Sequence, residues 1–269
     1  MSELQYAGRF AEALVDRGGT DDSPVADVGL EHQRRSVIAF VGMAFEAKIA
    51  AGPGVRVICR TARCELGAMA ATAARQGYRG IISFGVAGGL ASGLRAGDRV
   101  VASAVLESQN VRKTDTVWST KLLEVIDGAT YAPIVGVDVP VAEPAMKREL
   151  HQKTGAAAVD MESHMVARAA AANGLAFAAV RVIVDPAHRA VPSAALLGMG
   201  VNGRTDFSAV LRDLISRPSQ LSRLARLALD AFAARAELLR IRQRLGPNFG
   251  LLDLTSSAAA GAVEPQPAP

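Results

Sequence analysis

The stretch from Ala156 to Pro186 limits this chain's fold more than any other. It reads AAAVDMESHMVARAAAANGLAFAAVRVIVDP. Ala157 to Val159 have the composition of a buried strand end, followed by Asp160, Met161 and Glu162. Ser163 to Ala172 is helical in composition, and Asn173-Gly174 supplies a stop. Ala176 to Val184 is a second apolar run, and it delivers Asp185 just before Pro186. Two parallel strands joined by a helix would bring both acidic tips to one sheet edge, where open α/β sheets bind ligands. An acid ending an apolar strand is costly to desolvate, so it has a partner or a task. The plainer alternative is that Asp185 caps a turn and Glu162 pairs with Arg181.

A layered core suits the composition. Half of the 269 residues are hydrophobic, yet only 4% are aromatic. No apolar run is long enough to span a bilayer, and the mixed-charge N-terminus lacks a signal-peptide core. A cytoplasmic protein is expected. Cys59 and Cys64 flank a strand–helix junction without neighbouring histidines, so no metal site is expected; no cofactor is expected either. The net charge of +4 does not call for a nucleic-acid partner. It is uneven, however: Arg212 to Arg244 holds eight arginines against Asp213, Asp230 and Glu237.

Residues 1–35 are polar and read as a partly disordered arm. Compact folding is expected over residues 36–250, and residues 251–269, rich in Ser, Ala, Gly and Pro, read as a disordered tail. Strands are expected at Val37–Val41, Val55–Cys59, Ile81–Phe84, Arg99–Val105 and Pro133–Val139. Helices are expected at Cys64–Gln76 and Ala145–Thr154. The alternation predicts one α/β domain with a mostly parallel central sheet flanked by helices. Gly85-Val86-Ala87-Gly88-Gly89 reads as a glycine turn after a strand, open to a ligand or simply tight. Residues 107–130, with the only tryptophan, Trp118, read as a lid or a surface excursion. After Pro186 the pattern loosens through Gly203. Residues 219–245 then form one amphipathic helix with the stripe Leu224, Leu227, Ala231, Ala234, Leu238, Ile241 and Leu245. That stripe packs on the domain or a partner subunit, or it lies on an anionic membrane with arginines at its flanks.

Glu46, Glu162 and Asp185 fall at or near the carboxyl ends of candidate strands, beside the glycines. Alone, each is better read as an ordinary helix, turn or ion-pair acid. Together they suit cleavage of a sugar–base bond. Carboxylates stabilise the cationic sugar carbon, an acid protonates the leaving base, and another carboxylate deprotonates water.

Three ordered blocks resemble the nucleoside phosphorylase and nucleosidase superfamily. They are Ser83-Phe84-Gly85-Val86-Ala87-Gly88-Gly89-Leu90, Val159-Asp160-Met161-Glu162 and Arg181-Val182-Ile183-Val184-Asp185. The resemblance spans roughly residues 36–249. It implies that Met161 and Glu162 hold the ribose and that Asp185 donates a proton to the purine. In the hydrolytic branch, the methylthioadenosine and adenosylhomocysteine nucleosidases, a Glu at the position of Glu46 activates water. Asp160, Gly85, Val86, Ala87, Gly88 and Val141 complete the expected binding set. Gly136-Val137-Asp138, Pro186-Ala187 and Leu245-Gly246-Pro247 are similar to the hopanoid-associated phosphorylases. That implies adenine release from adenosylhopane, a lipid-linked nucleoside, by a homo-oligomer that could touch the inner face of the membrane through residues 219–245.

Val86 stands where a phosphate-contacting Ser is expected, and Glu46 where one phosphorylase branch has Arg. Both favour water as nucleophile, with phosphate the alternative co-substrate. Val139-Pro140-Val141 replaces the region where nucleosidases set a Phe against the purine. A dinucleotide-dependent oxidoreductase is disfavoured by the missing GxGxxG. A purine-binding sensor would have no use for a water-activating Glu46.

Overall fold

The computed structural model describes residues 37–59, 63–192 and 221–251. The expected arm at residues 1–35, the tail beyond residue 251, the Cys64 side chain and the loosened stretch at 193–203 lie outside the described residues. The first strand, β1 (Val37–Val41), is wholly buried and leads through Gly42 and Met43 into α1 (Ala44–Ala50). Next come β2 (Val55–Cys59), α2 (Arg63–Arg75) and a ten-residue β3 (Gly80–Gly89). They are followed by β4 (Arg99–Glu107), β5 (Asn110–Lys113), α3 (Thr116–Val125) and β6 (Thr130–Gly136). The central stretch supplies α4 (Pro144–Thr154), β7 (Ala158–Asp160), α5 (Ser163–Ala172) and β8 (Ala176–Asp185). The last long helix is α6 (Leu221–Leu245).

The sheet is mixed. β1 pairs in parallel with β2 and β3, β3 with β8, β4 with β6, and β6 with β7. Three pairings are antiparallel: β3 with β7, β4 with β5, and β4 with β8. The ladder closes through β3, β7, β6, β4 and β8. The expectation that β7 and β8 run parallel is therefore corrected. They sit on opposite edges of β3, and short β7 runs against it. Periodicity marks strands but does not say which edge each joins, and ring closure turns β7 around. Their tips still meet across one glycine: Gly88 registers with Val159 on one side and Asp185 on the other.

Local chemistry sets the remaining differences. β6 begins at Thr130, upstream of the expected Pro133, because Pro133 sits opposite the β4–β6 register shift. A proline has no N–H to give the ladder, and an irregularity there absorbs the loss. Residues 107–130 are neither lid nor excursion. They form the end of β4, β5 and α3, and Trp118 is buried with its indole N–H donating to Phe249 O at 2.9 Å. The alternating faces of β8 enter two cores. Phe177, Ala179 and Ile183 pack with α2 and α5, while Ala178, Val180 and Val182 pack with α3 and α6.

The stripe of α6 divides. Ala234, Leu238, Ile241 and Leu245 are buried in the second core, so its carboxyl half cannot face a membrane. Leu251, placed at the start of the expected tail, packs in the same core. Exposed apolar surface on α6 comes chiefly from Leu229 and Phe232, each 73% exposed, with Leu239 exposed at 45%.

Candidate active site

The glycine block is strand, not turn: Gly85 to Gly89 continue β3. The missing side chains have a specific use. A Cβ on Gly85 would collide with the Glu46 carboxylate. One on Gly88 would stand 3.1 Å from Asp185 Oδ2, and one on Gly42 would stand 2.9 Å from Glu162 Oε1. The glycines thus let three carboxyls approach backbone that side chains would shield.

Glu46 is 2% exposed. Its Oε2 accepts from the Gly42 and Met43 N–H groups at 2.9 and 2.8 Å, and its Oε1 from Val86 N–H at 2.8 Å. Burial pushes its pKa up, against the pull of these donors and of Arg181.

Beneath it lies a network that the sequence reading missed. Arg181, 3% exposed, donates through Nε to Asp160 Oδ2 at 2.6 Å. Its Nη2 donates to Ser83 Oγ at 2.6 Å and to Ser163 Oγ at 2.8 Å. The guanidinium also lies in the field of Glu162 and Glu46, and together the acids raise its pKa against the effect of burial. Asp160 is a hydrogen-bonded acid partner of Arg181, and Glu162, the partner in the plain alternative, acts on the same guanidinium through its charge. An apolar strand with one arginine opposite a Ser-bearing strand was the available signal.

Asp160 was expected to bind substrate. Both its oxygens are engaged inside the protein instead. Oδ1 accepts from the Glu162 and Ser163 N–H groups at 3.1 and 2.9 Å, and Oδ2 accepts from Ser163 Oγ and Arg181. Burial alone would raise its pKa, but Arg181 and Ser163 outweigh it and hold the carboxyl below the usual range. Asp160 therefore caps the start of α5 and supports the site from below. Met161 and Glu162, half-buried, follow it at the β7 tip.

Asp185, 8% exposed, ends β8 beside Gly88. Its Oδ2 accepts from Lys147 Nζ at 2.5 Å, and its carboxyl also leans on its own backbone N–H. Burial raises its pKa despite Lys147. Lys147 also escaped the sequence reading, since a lysine on a polar helix gives no signal of its own. Half-buried Val141 packs near Leu90 and Val159, on the Gly88 side. Ala87 is buried in the first core. The site thus has two stations on one strand: Glu46 and Glu162 with Arg181 around Gly42–Val86, and Asp185 with Lys147 at Gly88. Among the described residues no cluster of His, Cys, Asp and Glu could hold a metal ion.

The sequence model of the phosphorylase superfamily matches residues 55–216. No curated protein matches the chain by sequence. Solved structures share its fold at low identity. Native futalosine hydrolase of Helicobacter pylori has a TM-score of 0.55 and 16% identity, over 79% of this chain and 98% of its own. The 5'-methylthioadenosine/S-adenosylhomocysteine nucleosidase of S. pneumoniae, solved with a transition-state inhibitor, has a TM-score of 0.53 and 15% identity, over 78% and 99%. A mutant of the Helicobacter pylori 5'-methylthioadenosine nucleosidase, with 5'-methylthioadenosine in its active site, has a TM-score of 0.52 and 14% identity, over 78% and 98%.

Proposed function

This chain belongs to the phosphorylase superfamily, and we propose that within it the protein hydrolyses the N-glycosidic bond of an adenine nucleoside. The observation that carries the reading is the flanking of one glycine strand by acids in unlike settings. Both are buried, but Glu46 accepts three backbone N–H groups spread over both of its oxygens, whereas Asp185 takes the Lys147 ammonium on Oδ2. The bond between sugar carbon and purine nitrogen breaks, and its electron pair leaves with the base. Asp185 gives the base a proton. Glu162 and its neighbours stabilise the cationic sugar, which Met161 packs against. Glu46 takes a proton from water, and the remaining hydroxide bonds to the sugar carbon.

Water is favoured over phosphate for a physical reason. The N–H groups of Gly42, Met43 and Val86, which would suit an anion, already serve the Glu46 carboxylate. A phosphate brought there would meet that negative charge. Phosphorolysis is the competing reading.

Adenosylhopane is our proposed substrate within this class, and the enzyme works as a cytoplasmic homo-oligomer at the inner face of the membrane. The face of α6 that supports this is not the stripe that stood out in the sequence. Leu229 and Phe232 lie exposed near exposed Arg226 and Arg235, and the two acids of α6 are engaged, Asp230 by Arg189 and Glu237 by Arg99 and Arg240. Arginines beside exposed apolar side chains suit an anionic lipid surface. Among the described residues no helix is long and apolar enough to cross a membrane.

Incubation with adenosylhopane, methylthioadenosine and adenosine, with and without phosphate, tests the reading. Free adenine and free sugar product without phosphate are expected. A phosphate-dependent sugar phosphate would replace hydrolysis by phosphorolysis, and no adenine from any of the three would overturn the activity. Replacing Arg226 and Arg235 by Glu should weaken sedimentation with anionic vesicles, and unchanged sedimentation would make α6 purely structural.

A further inference from the structure

Lys147 is an unusual residue for its place. It is the one buried side chain of α4, with no exposed surface at all. Four oxygens surround its Nζ: Asp185 Oδ2 at 2.5 Å, Asp185 O at 3.1 Å, Pro186 O at 3.1 Å and Arg189 O at 3.0 Å. An ammonium has three N–H donors, so all of them are used within the protein. A buried ammonium must be paired to stay charged, and the Asp185 carboxylate is its acidic partner. The same lysine pins the chain on both sides of Pro186, so the carboxyl and the backbone that carries it are held at once.

The geometry points to Lys147 as the positioning residue of the catalytic acid: it locks Asp185 through Oδ2, leaves Oδ1 to carry the donated proton, and sets the highest pH at which donation works. This rests on the reading of Asp185 as the proton donor. Gly88 leaves the Asp185 carboxyl packed directly on β3, since an added Cβ there would stand 3.1 and 3.5 Å from its two oxygens. The charged groups facing Asp185 among the described residues come from two helices and one turn. Lys147 on α4 favours the ionised form, and Asp230 on α6 opposes it. Arg189 in the turn presents its carbonyl to Lys147 and its guanidinium to Asp230. Donation requires a protonated Asp185. A neighbouring ammonium favours the carboxylate, so removing it raises the pH at which the proton is lost.

The test compares Lys147→Met and Lys147→Arg with wild type, using methylthioadenosine or adenosylhopane, whichever the enzyme turns over. In Lys147→Met, kcat should fall on the order of tenfold to a hundredfold with little change in KM, as for a misplaced catalytic group. The alkaline limb of the kcat–pH profile should move up by about one pH unit or more. Lys147→Arg should keep the limb close to its wild-type position. A folded Lys147→Met enzyme with an unmoved limb overturns the proposal. Should that variant not fold, Asp185→Asn and the double variant Asp185→Asn/Lys147→Met decide, since removing both charges avoids a lone buried ion. If Lys147 acts only through Asp185, the second substitution lowers kcat less than about twofold beyond the first. A further tenfold loss would mean that Lys147 acts on something else. Full activity in Asp185→Asn would instead remove the proton donor itself, a failure of the functional reading and not of the lysine's link to Asp185.

Discussion

The two stations on β3 hold their acids in opposite ways. Around Gly42–Val86, one cation is shared: Arg181 lies among Asp160, Glu162 and Glu46, and hydroxyls and backbone N–H groups supply the other bonds. At Gly88 one cation is private: among the carboxyls of the described residues, Lys147 serves Asp185 alone. Burial raises the pKa of both Glu46 and Asp185, so burial does not separate their roles. Bonding does. Glu46 receives three N–H donors spread over both oxygens, a pattern that a proton on either oxygen would disturb. Asp185 receives its cation on one oxygen only, so the other can carry a proton. The proposed base and the proposed acid are thus distinguished by which protonation state their neighbours accept.

Removing the acid should produce the largest effect. Asp185→Asn should lower kcat/KM by about a hundredfold to ten-thousandfold, measured by adenine release. Near-normal turnover would erase the distinction between the stations. Next in size is Arg181→Met, which strands Asp160 as a buried charge and should cost about 3–5 kcal/mol of stability, measured by chemical denaturation. Wild-type stability in that variant would mean the shared cation is dispensable. The pH dependence of kcat/KM sharpens the same contrast. Glu46 must be ionised to act as base, so rate should fall as pH drops through its raised pKa. Asp185 must be protonated to act as acid, so rate should also fall as pH climbs through its own raised pKa. A profile with one limb missing would show that only one station titrates in catalysis.

The strands and helix of residues 156–186 were legible because their composition is extreme. Ser163–Ala172 is helical at the expected residues, and the run from Ala176 is strand. Strand pairing was not legible, because β7 has only three residues and joins a ring whose closure depends on distant β4 and β6. The glycine block was visible as glycine but mistaken for a turn. Its glycines answer to Glu46 and Asp185, contacts that cross 39 and 97 positions of chain and leave no local trace. Lys147 and Arg181 were hidden for the same reason. A buried charge is recognised by its surroundings, and those come from elsewhere in the sequence. On α6 the helix was visible, but several alanines and leucines offered more than one apolar face, and packing chose the one ending in Leu238, Ile241 and Leu245.

A moderate effect separates the close approach of Glu46 from the shared charge. Gly85→Ala puts a methyl group against the Glu46 carboxylate and should cost about 1–3 kcal/mol through forced displacement. Activity should fall more than stability alone explains if the displaced group acts as the proposed base. Thermal denaturation beside kcat/KM measures both. An active, stable Gly85→Ala enzyme would mean that Glu46 can yield without consequence.

The smallest effect is the most diagnostic of sharing. Ser83 is fully buried, and its Oγ accepts from Arg181 Nη2 at 2.6 Å. Ser83→Ala removes that acceptor, but Arg181 keeps Ser163 Oγ at 2.8 Å and Asp160 at 2.6 Å. The loss should therefore stay near about 1 kcal/mol, the net worth of one hydrogen bond, and lower Tm by roughly 2–4 °C for a domain of this size. Turnover should change less than about threefold, since a shift of that size is well below 1 kcal/mol in barrier. A hundredfold loss of kcat would show the guanidinium to be as singly held as the acid at Gly88, and the two stations would then differ in charge but not in design.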